Sequence, residues 1–139
     1  MDGTTLSLTL FRTLHQLFES RSILLQTDVD LVSNIWTDRP APPQAPVFEH
    51  PESFAAETRQ QKLGRLRVIL MKEDADWYFA SALDDVAWLF NLRGSDIAYN
   101  PLFTAYALIG CNHAELFVDE QKLSGELKEI LNDDYIRIY

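Results

Sequence analysis

The sequence has 139 residues, 47% of them hydrophobic, and a formal net charge of −9. That length suits one domain, or one domain with part of another, and a chain this long buries roughly 68–70% of its unfolded surface. The acidic balance excludes a nucleic-acid-binding footprint, which needs a basic surface. No apolar run approaches the roughly 20 residues of a membrane span, and the single Cys111 excludes an internal disulfide.

In chain order, the opening "MDGTTLSLTLFRTLHQ" lacks a basic leader and a small-residue cleavage site, so it does not read as a signal peptide. With the lone cysteine this gives a cytoplasmic expectation. Ser7 is a candidate N-cap, followed by Leu10, Phe11, Leu14, Leu17 and Phe18 at helical spacing. Ile23 to Gln26 reads as a short strand. Asp28 or Asp30 caps a second helix carrying Val32, Ile35 and Trp36. Five of the six prolines fall in "DRPAPPQAPVFEHP", residues 38–51, an extended spacer that marks a boundary. Residues 54–73 predict one long helix with Ser53 before it and Leu63, Leu66 and Leu70 on its buried side.

"DWYFASA", 76–82, reads as a strand, and Leu83, Val86, Ala87 and Phe90 as a helix stripe. Leu102 to Ile109 is a buried strand, paired through "GCNH" with "AELFVD" in a hairpin. Leu127, Ile130 and Leu131 mark a last helix, and "YIRIY" a last strand. After the linker the order α-β-α-β-β-α-β predicts an α/β fold with a mixed sheet flanked by helices. The abrupt helix entry after Met1 and the strand at the other end read as a piece of a longer chain.

Few residues carry chemistry. His15, His50 and His113 lack ligand spacing, so no metal site is read. Cys111 and His113 share a hairpin loop with no third group to orient them, so a turn is the reading. Asp84 and Asp85 diverge by about 100° on a helix and do not share a site. Ser81 and Asp84 match a capping pattern instead, which leaves Asp85 for a salt bridge or an interdomain contact. Arg59, Lys62, Arg65 and Arg67 read as a solvated basic face. The polar stretch "NLRGSDIAYNP" interrupts two core segments. Gly94 and Asn100 before Pro101 serve turns, but Arg93 offers a planar fork suited to a carboxylate, with Asp96 as its local partner.

These segments, "IWTDRPAPPQAPVF", "KLGRLR", "SALDDVAWLFNLRGSDIAYNPLFTAYALI" and "LFVD", resemble the three-domain Xaa-Pro aminopeptidases of the creatinase/prolidase clan from about Leu6 to Tyr139. Ala56 stands where that family often has Gly. The resemblance implies a C-terminal remnant of a first creatinase N-terminal-like domain (1–37), a Pro-rich connector (38–52) and a second such domain (53–139). It implies a separate catalytic domain, absent here, that holds a pair of metal ions, usually manganese. No cofactor is therefore expected in this chain, and the chain alone is expected to be inactive.

The family removes an N-terminal residue that precedes proline, and its N-terminal domains wall the cleft and support assembly. By that analogy the 91–100 loop faces the cleft. Arg93 would meet peptide or the catalytic domain, with Asp96, Tyr99 and Asn100 shaping the loop. The implied partners are the catalytic domain and, through it, proline-containing peptides. Neither nucleic acid nor membrane is expected. A homodimer is a further expectation, because an unpaired sheet edge favours self-association. The other reading is a protein-interaction or chaperone-like docking module from an inactive relative.

Overall fold

The computed structural model describes residues 2–139; Met1, part of the helix entry read from the sequence, lies outside them. The chain forms two compact units that divide between Pro42 and Pro43.

In the first unit a 3-10 turn, Gly3–Thr5, precedes α1, Leu8–Glu19. Ser7 caps α1 as the sequence predicts, its Oγ accepting from the Leu10 N–H at 3.2 Å. Asp30 caps the short α2, Leu31–Ile35, accepting from the Ser33 N–H at 3.0 Å. The strand expected over 23–26 does not form. The chain instead leaves α1 through Ser22 at φ 57°, and a bridge pairs Asp2 with Asp28. Ile23 and Leu24 stay exposed, and the Ile23 N–H turns back to Phe18 C=O at 2.9 Å, not to a neighbouring strand.

The second unit begins inside the Pro-rich stretch. Val47 is buried, and Phe48–Glu49 form β1. The long helix predicted over 54–73 is two helices, α3 (Glu52–Ala55) and α4 (Arg59–Lys72). Ala56 separates them at φ 61°, a conformation glycine adopts without cost. The cap is not Ser53. Thr58 starts α4 with a reciprocal capping box: its Oγ1 accepts from the Gln61 N–H, and Gln61 Oε1 accepts from the Thr58 N–H. Then follow β2 (Trp77–Ala80), α5 (Leu83–Leu89), β3 (Leu92–Arg93), β4 (Ala105–Gly110), β5 (Ala114–Val118), α6 (Gly125–Asp133) and β6 (Ile136–Ile138). The expected Ser81 cap is also absent. The helix starts one residue later than the pattern implied, so Ala82 is the N-cap and Asp84 and Asp85 simply occupy the first turn.

The main sheet has the order β2-β4-β5-β6. The first two pairings are antiparallel, and β5 with β6 is parallel, so the sheet is mixed. α6 supplies the crossover that a parallel pair needs. Cross-strand partners share a face. One face carries Ala80, Ala107, Ile109, Ala114, Leu116 and Ile136, all buried. These join Leu63 of α4, Val86, Ala87 and Leu89 of α5, and Leu127 and Leu131 of α6 in one core. The opposite face carries Trp77, Phe79, Tyr106 and Phe117, all exposed. Gly110 lies under the indole of its cross-strand partner Trp77; a Cβ there would meet Trp77 Cζ3 at 2.6 Å. A second, two-stranded ladder joins β1 to β3 antiparallel, Phe48 opposite Arg93 and Glu49 opposite Leu92.

Candidate functional site

The polar stretch after α5 is a structured hairpin-like loop. Gly94 N–H donates to Pro101 C=O at 3.2 Å and Asp96 N–H to Leu102 C=O at 2.9 Å. This explains why the strand predicted from Leu102 begins only at Ala105. The first part of the apolar run pairs with the loop, and Phe103 fills the core beneath it. A Cβ on Gly94 would lie 2.6 Å from Phe103 Cβ, so the close approach needs glycine. At the tip, Asn100 N–H donates to Ile97 C=O at 3.1 Å, closing a turn with Tyr99 third at φ 62°. Glycine or asparagine is favoured at such a position. Tyr99 is nonetheless there, and its ring is entirely in solvent.

The loop is held from inside by charged groups. Asn91 ends α5 at φ 51° and is buried. Its Oδ1 accepts from Lys62 Nζ at 2.5 Å, and its Nδ2 donates to Glu57 C=O at 2.9 Å. Its own C=O accepts from His50 N–H at 2.7 Å. Lys62 Nζ also donates to Trp88 C=O at 2.9 Å and lies 4.6 Å from the centre of the Trp88 ring. Burial moves the Lys62 ammonium below the ordinary lysine range, with Glu57 partly opposing. Arg93 Nη1 donates to Ala87 C=O at 2.9 Å and Leu92 C=O at 2.8 Å. Two cations thus serve carbonyls at the C-terminal end of α5, where the helix dipole favours them.

Asp96 is not paired with Arg93. Its side chain is fully buried, and Oδ2 accepts from Lys122 Nζ at 2.5 Å and Thr104 N–H at 2.7 Å. Burial pushes this carboxyl up, but Lys122 and the Thr104 N–H outweigh it and hold it below the ordinary carboxylate range. A depressed carboxyl contributes stability above its unfolded pKa, and that contribution is lost as pH falls through the lowered folded value. The thermal midpoint should therefore hold from neutral pH to about 5 and fall below about 4. Asp96→Asn should flatten that acid limb in a differential scanning series. An unchanged limb would assign the acid sensitivity to other carboxylates, such as Asp119, also held low by Gln44 and the Gln121 N–H.

The five sequence candidates do not form one constellation. Arg93 and Asp96 face inward, and Tyr99 and Asn100 face solvent at the tip. Asp85 lines a separate groove of about 200 Å³ between α4 and α5, with Arg65, Leu66, Tyr78 and Trp88. The basic face of α4 is solvated only in part, with Arg65 exposed. Arg59 and Lys62 are buried, Arg59 paired with Glu49 and Asp134. Their spacing with Leu63, Leu66 and Leu70 lies along the apolar stripe, and that was the available signal. Lys122 gave none, because its partner is 26 residues away. Among the described residues no three His, Cys, Asp or Glu side chains gather to hold a metal ion.

A family model for the creatinase/prolidase N-terminal domain matches residues 38–139. The chain belongs to that family. Curated relatives include a probable Xaa-Pro aminopeptidase P of Neosartorya fischeri, 46% identical over 116 residues, which are 83% of this chain and 18% of that protein. The corresponding Aspergillus fumigatus protein is 45% identical over the same length. Among solved structures, the X-prolyl aminopeptidase of Caenorhabditis elegans, described as a cytosolic enzyme with a di-nuclear active site, superposes with a TM-score of 0.87 at 28% identity. That match covers 99% of this chain and 23% of the nematode chain. The creatinase N-terminal region here thus spans about a fifth of the length of the proteins it matches. The di-nuclear centre of the nematode enzyme has no counterpart set of ligands among the described residues.

Proposed function

We propose that this chain is the non-catalytic N-terminal module of an Xaa-Pro aminopeptidase. It walls the cleft of a catalytic domain that performs the hydrolysis, and it supports assembly of that domain. The parent releases N-terminal residues that precede proline. Two divalent metal ions belong to the catalytic part, and no step passes through this chain. Residues 1–37 would close a first creatinase-like domain, residues 38–52 connect it, and residues 53–139 form the second. The cytosolic description of the nematode relative supports a cytoplasmic parent.

Within the module, the tip of the 91–100 loop faces the cleft. The observation that carries this is Tyr99. A tyrosine at φ 62° in a tight turn costs about 1–3 kcal/mol that glycine would not cost. Its ring gains nothing in return inside the module, because it is wholly exposed. Such strain is kept where a surface must present a particular side chain. Asn100 lies beside Tyr99, while Arg93 and Asp96 anchor the loop from behind.

Tyr99→Gly in the full-length protein separates the two effects. The thermal midpoint should stay level or rise, because the turn loses its strain. kcat/KM for an Xaa-Pro peptide should fall about tenfold, a barrier increase of ~1.4 kcal/mol. A variant with unchanged kcat/KM would remove the loop from the cleft.

A further inference from the structure

Residues 39–47 form neither helix nor strand, and the second unit opens inside them on Pro43-Gln44-Ala45-Pro46. Proline fixes φ at about −65°, and a residue before proline is pushed out of the helical region. Pro43, Ala45 and Pro46 are set in this way, toward polyproline II geometry. Gln44 is the one residue of the four left free, and its side-chain amide is tied to Asp119 Oδ2 at 2.9 Å. Three residues on, Val47 is buried and its N–H donates to Lys122 C=O at 2.9 Å.

A polyproline II helix turns once in three residues. Gln44 and Val47 therefore share the edge held by the second unit. Pro43 and Pro46 share a different edge, about 9 Å apart along it. Both prolines are exposed, so the unit buries neither. A spacer needs only stiffness. This stretch is also fixed in orientation by Gln44 and Val47, with its proline edge turned outward.

We infer that Pro43-Gln44-Ala45-Pro46 is a docking ridge for a separate protein with an aromatic-lined groove, of the kind that reads proline at every third residue. The ridge is formed before contact, so docking orders little backbone. Charge narrows the choice of groove. The Asp119 carboxylate stands against Gln44 and is exposed, in a chain whose net charge is −9. Arg39, the cation nearest in sequence, is already held by Asp30 at 3.1 Å and by Ser33. A groove with a basic rim complements this ridge, and one with an acidic rim meets like charge.

The test titrates the full-length protein into fluorescently labelled, purified WW and Src-homology 3 domains whose groove rims are of either charge, and reads anisotropy. Domains with basic rims should bind saturably. Pro43→Ala and Pro46→Ala should each weaken that binding about tenfold, as for anchor residues of a small interface, with an unchanged thermal midpoint. A synthetic peptide of residues 39–47 should compete for the same domains. If no domain binds, or only domains with acidic rims do, the inference is overturned. Binding of the peptide but not of the folded protein overturns it too, because the ridge is then closed to partners. Binding that survives both proline substitutions places the contact elsewhere and also overturns it. None of these readouts involves peptide hydrolysis, so the ridge stands or falls apart from the cleft reading.

Discussion

Lys122→Ala should lower the stability of the second unit by about 3–5 kcal/mol, the usual loss when one member of a buried ion pair is removed. Lys122 is 4% exposed at its side chain and Asp96 0%, so the pair is shielded from water and the substitution leaves the carboxylate without its countercharge. Asp96 Oδ1 is already buried without a hydrogen-bond partner, and the substitution would take the Lys122 ammonium from Oδ2 and leave Thr104 to hold the carboxylate. Urea denaturation with both single variants and the pair provides the cycle. The double variant Asp96→Ala/Lys122→Ala should lose less than the sum of the singles. A single-variant loss below about 1 kcal/mol would mean that water reaches the pair, as at an exposed ion pair.

Asn91→Ala should cost about 3 kcal/mol by a different route. Alanine at φ 51° loses about 1 kcal/mol of backbone tolerance. The rest comes from the bonds lost to Lys62 Nζ, which keeps Trp88 C=O, and to Glu57 C=O, at about 1–3 kcal/mol in all. Asn91→Gly separates these terms. It keeps the left-handed backbone and loses the hydrogen bonds, so it should fall about 1 kcal/mol short of the alanine variant. If glycine and alanine are equally damaging in chemical denaturation, backbone conformation contributes nothing at this position.

The legible parts of the fold were those written in short-range pattern. Ser7 and Asp30 announced their helices because a cap needs only a side-chain oxygen three residues from an N–H. The hairpin of β4 and β5 announced itself because its pairing is local. The break in the long helix hid behind continuous helical periodicity, since Ala56 is a helix former by propensity and its positive φ is imposed by tertiary structure. β1 and β3 hid because each is two residues long and its partner lies 43 to 45 residues away. At the site, the loop and its turn residues were legible, while its anchors were not. Arg93 was read as reaching for an external carboxylate, and the structure gives Nη1 to the carbonyls of Ala87 and Leu92. Asp96 was assigned Arg93 from its own loop, and a lysine far along the chain takes it. Neither pairing has a period or a spacing that one sequence reveals.

The second unit is laced shut by bonds between its opening and closing stretches. Val47 N–H donates to Lys122 C=O at 2.9 Å, and the Gln44 amide to Asp119 at 2.9 Å. The Gln60 amide bonds to Asp134, and Arg59 forms an ion pair with the same carboxylate at 3.4 Å. Each joins residues about 75 apart in sequence. On the ribosome, residues 44–60 therefore emerge long before their partners at 119–134 exist. Until those partners clear the exit tunnel, Val47 lacks Lys122 and Arg59 lacks Asp134. The unit must wait and then close in one cooperative event, and its folding should be slow for its size because loop closure precedes its reward. A nascent chain arrested before Lys122 should remain protease-sensitive throughout, and one arrested well past Tyr139 should become resistant in a single step.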